Sequence, residues 1–158
     1  MARQKKQINP ELVLKKIEYF CSFQERCIRE TEEKLKDWAV QKSLIPSILS
    51  HLLKEGFINE ERFAKAFAGG KFRVNKWGRQ KIEFELHLKG ISDELISKAV
   101  NEIEFENYHK VLKELILKKQ REIKPEKENN IRERIISYVY SKGYEMDLIL
   151  STLKELKI

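Results

Sequence analysis

The sequence predicts an all-α protein built from three tandem three-helix repeats, about nine helices in all. Three observations carry this prediction. Apolar residues recur at helical spacing along nearly all of the 158 residues. A Lys-Gly turn with its preceding apolar stripe recurs at an offset of 53: Glu85–Ile91 resembles Tyr138–Tyr144. The best strand candidate, Tyr138-Val139-Tyr140, lies inside a helical stripe.

The elements follow in order. A first helix spans 11–23, and a second carries Leu35 and stops near Ala39-Val40. These residues align with Leu86, Gly90 and Ile91 when the repeat is shifted back by 51, with alanine in place of glycine. Ile45, Ile48, Leu49, Leu52 and Leu53 form the next stripe, with Pro46 tolerated in a first turn. Phe63, Ala66 and Phe67 form the fourth, with Asn59 as N-cap. The fifth, from about Gly78 to Lys89, is apolar on two sides. Phe84 and Leu88 point roughly 200° from Ile82 and Leu86, which predicts a helix sandwiched between neighbours. Ser92 caps a sixth helix bearing Leu95, Ile96, Ala99, Val100 and Ile103. Tyr108, Val111, Leu112 and Leu115 mark the seventh. Ile131, Ile135, Ile136 and Val139 mark the eighth, and 147–156 the ninth. Gly90 and Gly143 sit where helices stop. The implied layout is a basic tail at 1–10 and repeats at 11–58, 59–105 and 106–158. A charged linker, 122–130, falls within the third repeat. An alternative offset of 34, from Gly56 to Gly90, fails at Gly143.

The charge is localised. The chain carries +7 overall; the first ten residues hold +3 and the segment 71–81 holds +5, leaving −1 for the rest. Lys71, Arg73, Lys76, Arg79 and Lys81 stand there without an acid, beside Phe72 and Trp77. Fixed cations next to aromatic faces suit a polyanion, nucleic acid above all. The two aromatics either stack on bases or anchor the helix junction in the core. Gly69-Gly70 either kinks the helix, permits close packing or ends it, and matches no phosphate-binding loop. Cys21 and Cys27 do not form a CxxC pair and read as thiols of a reducing compartment. No apolar run approaches the ~20 residues of a membrane span, and the basic start lacks the apolar stretch of a signal peptide. A cytoplasmic location without membrane contact is expected.

Catalysis has little material. Asp93 and Asp147 fall at helix starts, where a carboxylate suits the dipole. His51, His87 and His109 lie on separate helices at no metal-ligand spacing. No catalytic residue, metal or cofactor is expected.

The run Gly56-Phe57-Ile58-Asn59-Glu60-Glu61-Arg62-Phe63-Ala64 resembles the opening signature of the RecX family. Gly78, Ile82, Glu85-Leu86 and Lys89-Gly90-Ile91 resemble its continuation, so that about 36 central residues carry the resemblance. The resemblance implies an elongated, curved helical array, a monomer without catalysis. It implies lodging in the groove of the RecA–DNA filament, restraint of filament growth, and lowered ATPase and strand exchange in recombination and DNA repair. The partners it implies are the RecA filament and its single-stranded DNA. The chain departs from the family pattern at Ala39, in its short N-terminal tail and in the 122–130 linker. A stand-alone, sequence-independent DNA-binding protein is the alternative. A helix-turn-helix repressor would need its contacts along one recognition helix, and a nuclease would need clustered carboxylates. Neutralising all five cations is expected to leave helicity intact and flatten the salt dependence of binding by up to ~4 units.

Overall fold

A computed structural model describes residues 9–124 and 130–158. Residues 1–8 of the predicted basic tail and the middle of the predicted linker lie outside the described residues; the tail's last two residues cap and open the first helix. Nine helices are present among them: α1 Pro10–Phe23, α2 Ile28–Asp37, α3 Ile45–Lys54, α4 Glu60–Asn75, α5 Arg79–Leu88, α6 Asp93–Asn101, α7 Phe105–Glu122, α8 Ile131–Ser141 and α9 Met146–Glu155. The described residues contain no strand.

Caps explain where several helices begin. The Asn9 side chain accepts from the Glu11 amide, Asn59 from Arg62 and Ser92 from Leu95, each relieving an orphan N–H. The repeat shows most clearly where each middle helix ends. Ala39, Gly90 and Gly143 all take positive φ, at 56°, 77° and 102°. In each case the next amide bonds back five residues: Val40 to Leu35, Ile91 to Leu86 and Tyr144 to Val139. This is the same left-handed helix stop three times. The first repeat makes it with an alanine, accepting a conformation that glycine adopts more easily.

The buried side chains form two clusters. Val13, Ile17, Cys21, Leu35, Ile45, Leu52 and Ile58 make a small core in the first repeat. The second and third repeats share one larger core, running from Phe63 and Ala64 through Ile82, Leu86, Tyr108 and Leu112 to Tyr144, Ile149 and Leu153. Of the first repeat's buried residues, Cys27 is the one that joins the larger core. Cys21 and Cys27 are both buried thiols, and burial raises both above the ordinary range.

Two expectations are corrected. The stripe of α4 is Phe63, Ala64, Ala68 and Phe72, while Ala66 faces solvent. The small alanines at 64 and 68 share the core with Ile96, Ala99 and Val100 and let α4 lie close against α6. The second apolar side of α5 is not sandwiched: Phe84 is 61% exposed and Leu88 54%. Only Ile82 and Leu86 bury, because the larger core lies to one side of this helix.

Candidate nucleic-acid interface

The basic segment is the junction between α4 and α5. The helix α4 runs straight through Gly69-Gly70 and stops at Asn75, so these glycines do not end it. A side-chain carbon at Gly69 would meet the tip of Arg73, and at Gly70 nothing. Neither glycine is required by close packing of helix backbones. Lys76 turns left-handed at φ 59°, and Gly78 caps α5.

The third repeat holds this junction by its backbone. Tyr144 donates its hydroxyl to the Lys76 carbonyl at 3.0 Å. The Gly78 amide donates to the Lys142 carbonyl at 2.8 Å, and the Gln80 amide to that of Gly143 at 3.0 Å. The Arg79 amide donates to the Tyr108 hydroxyl at 3.0 Å, and that hydroxyl donates in turn to the Glu145 carboxylate at 2.9 Å. Gly78 and Gly143 press backbone on backbone: a side-chain carbon on either would overlap the other's strand of chain. Tyr108 stacks on Tyr144 with ring centroids 4.9 Å apart. Burial, with Glu145 adding in the same direction, pushes both phenols well above their ordinary range. Both remain neutral donors at any physiological pH. Four backbone positions of the cationic segment, 76, 78, 79 and 80, are thus held by a different repeat, with the lysines carried on the turn and the helices beside it.

The predicted residues divide into three groups. Lys71, Trp77 and Lys81 come together: the two ammonium groups sit 4.8 Å and 4.6 Å from the indole. Phe67 meets Trp77 edge-on at 6.4 Å and carries Lys71 and Lys89 at 5.5 Å and 5.7 Å. Cations and rings therefore alternate, Lys89–Phe67–Lys71–Trp77–Lys81, across α4 and α5. Such contacts contribute about 0.5–1 kcal/mol each where exposed, and they order the lysines without neutralising them.

Arg73 and Lys76 form the second group. Arg73 lies two residues after Lys71 on α4 and so points to another side. Both line a cavity of about 280 Å³ with Asn107, Lys110 and Glu114. Arg73 also borders a neighbouring cavity that includes Glu102 and Glu104, so this side is mixed in charge.

Arg79 and Phe72 belong to the core. The Arg79 guanidinium donates to the Ile103 carbonyl at 2.9 Å and lies 4.3 Å over the Tyr108 ring, with its Nε buried. Phe72 is 9% exposed and packs 5.9 Å from Tyr108. Of the two aromatics, Phe72 is buried in the core at the junction, while Trp77 is half-buried, packing against that core and also meeting the cations. Neutralising all five cations would therefore disturb the core at Arg79.

Sequence reasoning missed Lys89, Lys142 and Lys119. Lys142 donates to the Asn75 carbonyl at 3.2 Å and shares the Tyr138 ring with Lys119. The signal was present: Lys89 and Lys142 are the same position of the Lys-Gly repeat. Val74, 80% exposed beside Arg73, carried no sequence signal. Among the described residues, Lys71, Arg73, Lys76, Lys81, Lys119 and Lys142 form no ion pair, whereas Lys89 is bound to Glu30 at 2.8 Å.

The histidines are separate. His51 meets Glu18, His87 meets Asp93, and His109 meets Thr152 and Glu155. Among the described residues no group of three or more His, Cys, Asp and Glu is placed to hold a metal. No described helix is long and apolar enough to cross a membrane.

With this geometry in place, the chain can be set beside known proteins. The family model described as "RecX, second three-helix domain" matches residues 59–100, which hold α4 to α6. The regulatory protein RecX of Clostridium acetobutylicum is 30% identical over 132 residues, covering 81% of this chain and 61% of that protein. The RecX of Streptococcus uberis is 26% identical over 140 residues, covering 89% and 54%. The chain thus spans about half to three-fifths of the length of these relatives. The crystal structure of RecX from Lactobacillus salivarius superimposes with a TM-score of 0.79 at 21% identity, over 93% of this chain and 96% of that one. A second crystal structure of regulatory protein RecX gives 0.80 at 20% identity, over 87% and 68%. These two share the all-helical fold. The α4-to-α6 unit, the relatives spread along most of the chain and the common architecture agree: residues 59–100 match the second three-helix domain of RecX, and the chain as a whole is similar to RecX regulatory proteins.

Proposed function

We propose that this protein is a non-enzymatic, cytoplasmic regulator of the RecA recombinase. It binds as a monomer in the groove of the RecA–DNA filament and restrains filament growth, ATP hydrolysis and strand exchange, without a cofactor. The observation that carries the reading is the Lys71–Trp77–Lys81 cluster on a turn pinned by the third repeat. A rigid, un-neutralised cation cluster in a helical array suits the regular phosphates of a nucleoprotein better than a flexible tail would. The likeness to RecX proteins supplies the choice of RecA as partner. The same cluster favours the alternative, a protein that binds DNA directly and independently of sequence, since an indole between two lysines can take a stacked base.

The test uses the quadruple variant Lys71→Gln, Arg73→Gln, Lys76→Gln and Lys81→Gln, with Arg79 kept because its head belongs to the core. Binding is measured on RecA–DNA filaments and on bare single strands across a salt series. The variant is expected to stay folded, to bind filaments more weakly and to lose about 3 units of salt slope if all four cations meet single-strand phosphates. An unchanged slope rejects this surface. Wild-type binding to bare DNA that RecA does not enhance selects the alternative.

A further inference from the structure

The first repeat carries a cation-and-aromatic surface that the RecA reading does not use. On α1 the buried stripe is Val13, Ile17 and Cys21. Two positions further along runs a second stripe, Lys15, Tyr19 and Phe23, turned roughly 200° away from the core. Tyr19 and Phe23 are each 72% exposed, although aromatic rings of this size gain most from burial. They line a trough of about 510 Å³ with Lys15, Lys16, Arg26 and Trp38.

The lining contains cations and rings but no acid. The Arg26 guanidinium carbon sits 3.9 Å from the Phe20 ring centre while its Nε donates to the Phe20 carbonyl at 3.3 Å, and Lys34 sits 5.4 Å from Phe20 and 5.8 Å from Trp38. Among the described residues none of Lys15, Lys16, Arg26 and Lys34 forms an ion pair. Glu18, the acid nearest along the helix, is taken by His51 at 3.0 Å. The trough therefore calls for an occupant that is negatively charged and presents flat apolar faces. An acidic peptide supplies the charge without the faces, and duplex DNA keeps its base faces stacked inside. Single-stranded nucleic acid supplies both.

We propose that this trough is a second single-strand site, distinct from the α4–α5 junction. Bases stack on Tyr19, Phe23 and Trp38, while phosphates meet Lys15, Lys16 and Arg26. The proposal does not depend on the RecA reading, and no RecA enters its test.

The chain has two tryptophans, Trp38 and Trp77, so each can be read alone. In the full-length Trp77→Phe protein, titration with a short oligo-dT single strand is expected to quench Trp38 fluorescence saturably. A duplex of equal length and poly-glutamate are expected to leave it nearly unchanged. Adding Tyr19→Ala and Phe23→Ala should weaken the quench-detected affinity roughly tenfold or more. Adding Lys15→Gln and Lys16→Gln instead should lower the salt slope by about 1.4. All four side chains are exposed, so the fold should persist, and circular dichroism checks it. Absence of Trp38 quenching by the single strand overturns the proposal. So does equal quenching by poly-glutamate or duplex, or quenching that survives loss of both rings.

Discussion

The two junctions between repeats are built from different interactions. The second and third repeats share a core and are joined backbone to backbone through Gly78, Gln80, Lys142 and Gly143. The first repeat keeps its own core and meets the second largely through charged side chains: Glu25 with Arg62, Glu30 with Lys89, and Arg29 on the Leu88 carbonyl. Backbone bonds in a buried setting resist salt, whereas ion pairs at a partly exposed surface are screened and contribute little. The cations at 71–81 are therefore mounted where a shared core and backbone bonds join two repeats, whereas the first repeat meets the second through Cys27 and screened side-chain pairs.

The strongest way to break this comparison is Gly143→Ala. It sets a side chain on a φ of 102° and drives it into Lys81. The expected loss is roughly 3 kcal/mol or more, read from urea unfolding. A loss below about 1 kcal/mol would show that the backbone contact is not what joins the second and third repeats. Tyr144→Phe comes next. It leaves the Lys76 carbonyl without its donor and is expected to cost about 1–2 kcal/mol, with faster hydrogen exchange around Lys76. At the other junction, a double-mutant cycle on Glu30→Gln and Lys89→Met should return a coupling of about 0.2–1 kcal/mol that shrinks in 1 M salt. A coupling that is large and indifferent to salt would make the two junctions alike. The smallest effect is Ala39→Gly. Relief of the left-handed alanine outweighs the added freedom of the unfolded chain by a net gain of about 0.5 kcal/mol.

Much of this architecture was legible because helical periodicity and helix stops are local. Asn59, Ser92, Gly90 and Gly143 act where their residue types suggest, and Ala39 takes the left-handed turn that only its place in the repeat betrayed. What was not legible is what depends on a distant partner. Arg79 reads as one of five equivalent cations until Ile103 and Tyr108, far along the chain, fold against it. The exposed side of α5 looked buried because apolar spacing cannot say whether a neighbour stands opposite. The division of Lys71 from Arg73 follows from helix geometry alone, but the pairing of Lys71 and Lys81 on one indole requires the turn at Lys76. The trough on α1 is not legible in sequence because its cations lie among the glutamates of that stretch, and only the folded helix separates them.

The most direct test of the account is ATP hydrolysis by RecA on single-stranded DNA, with this protein added well below one per RecA. Strong loss of hydrolysis is expected with the wild-type chain at such ratios, and a shift to higher concentrations with the quadruple variant at 71, 73, 76 and 81. No effect even at equimolar wild-type protein would contradict it.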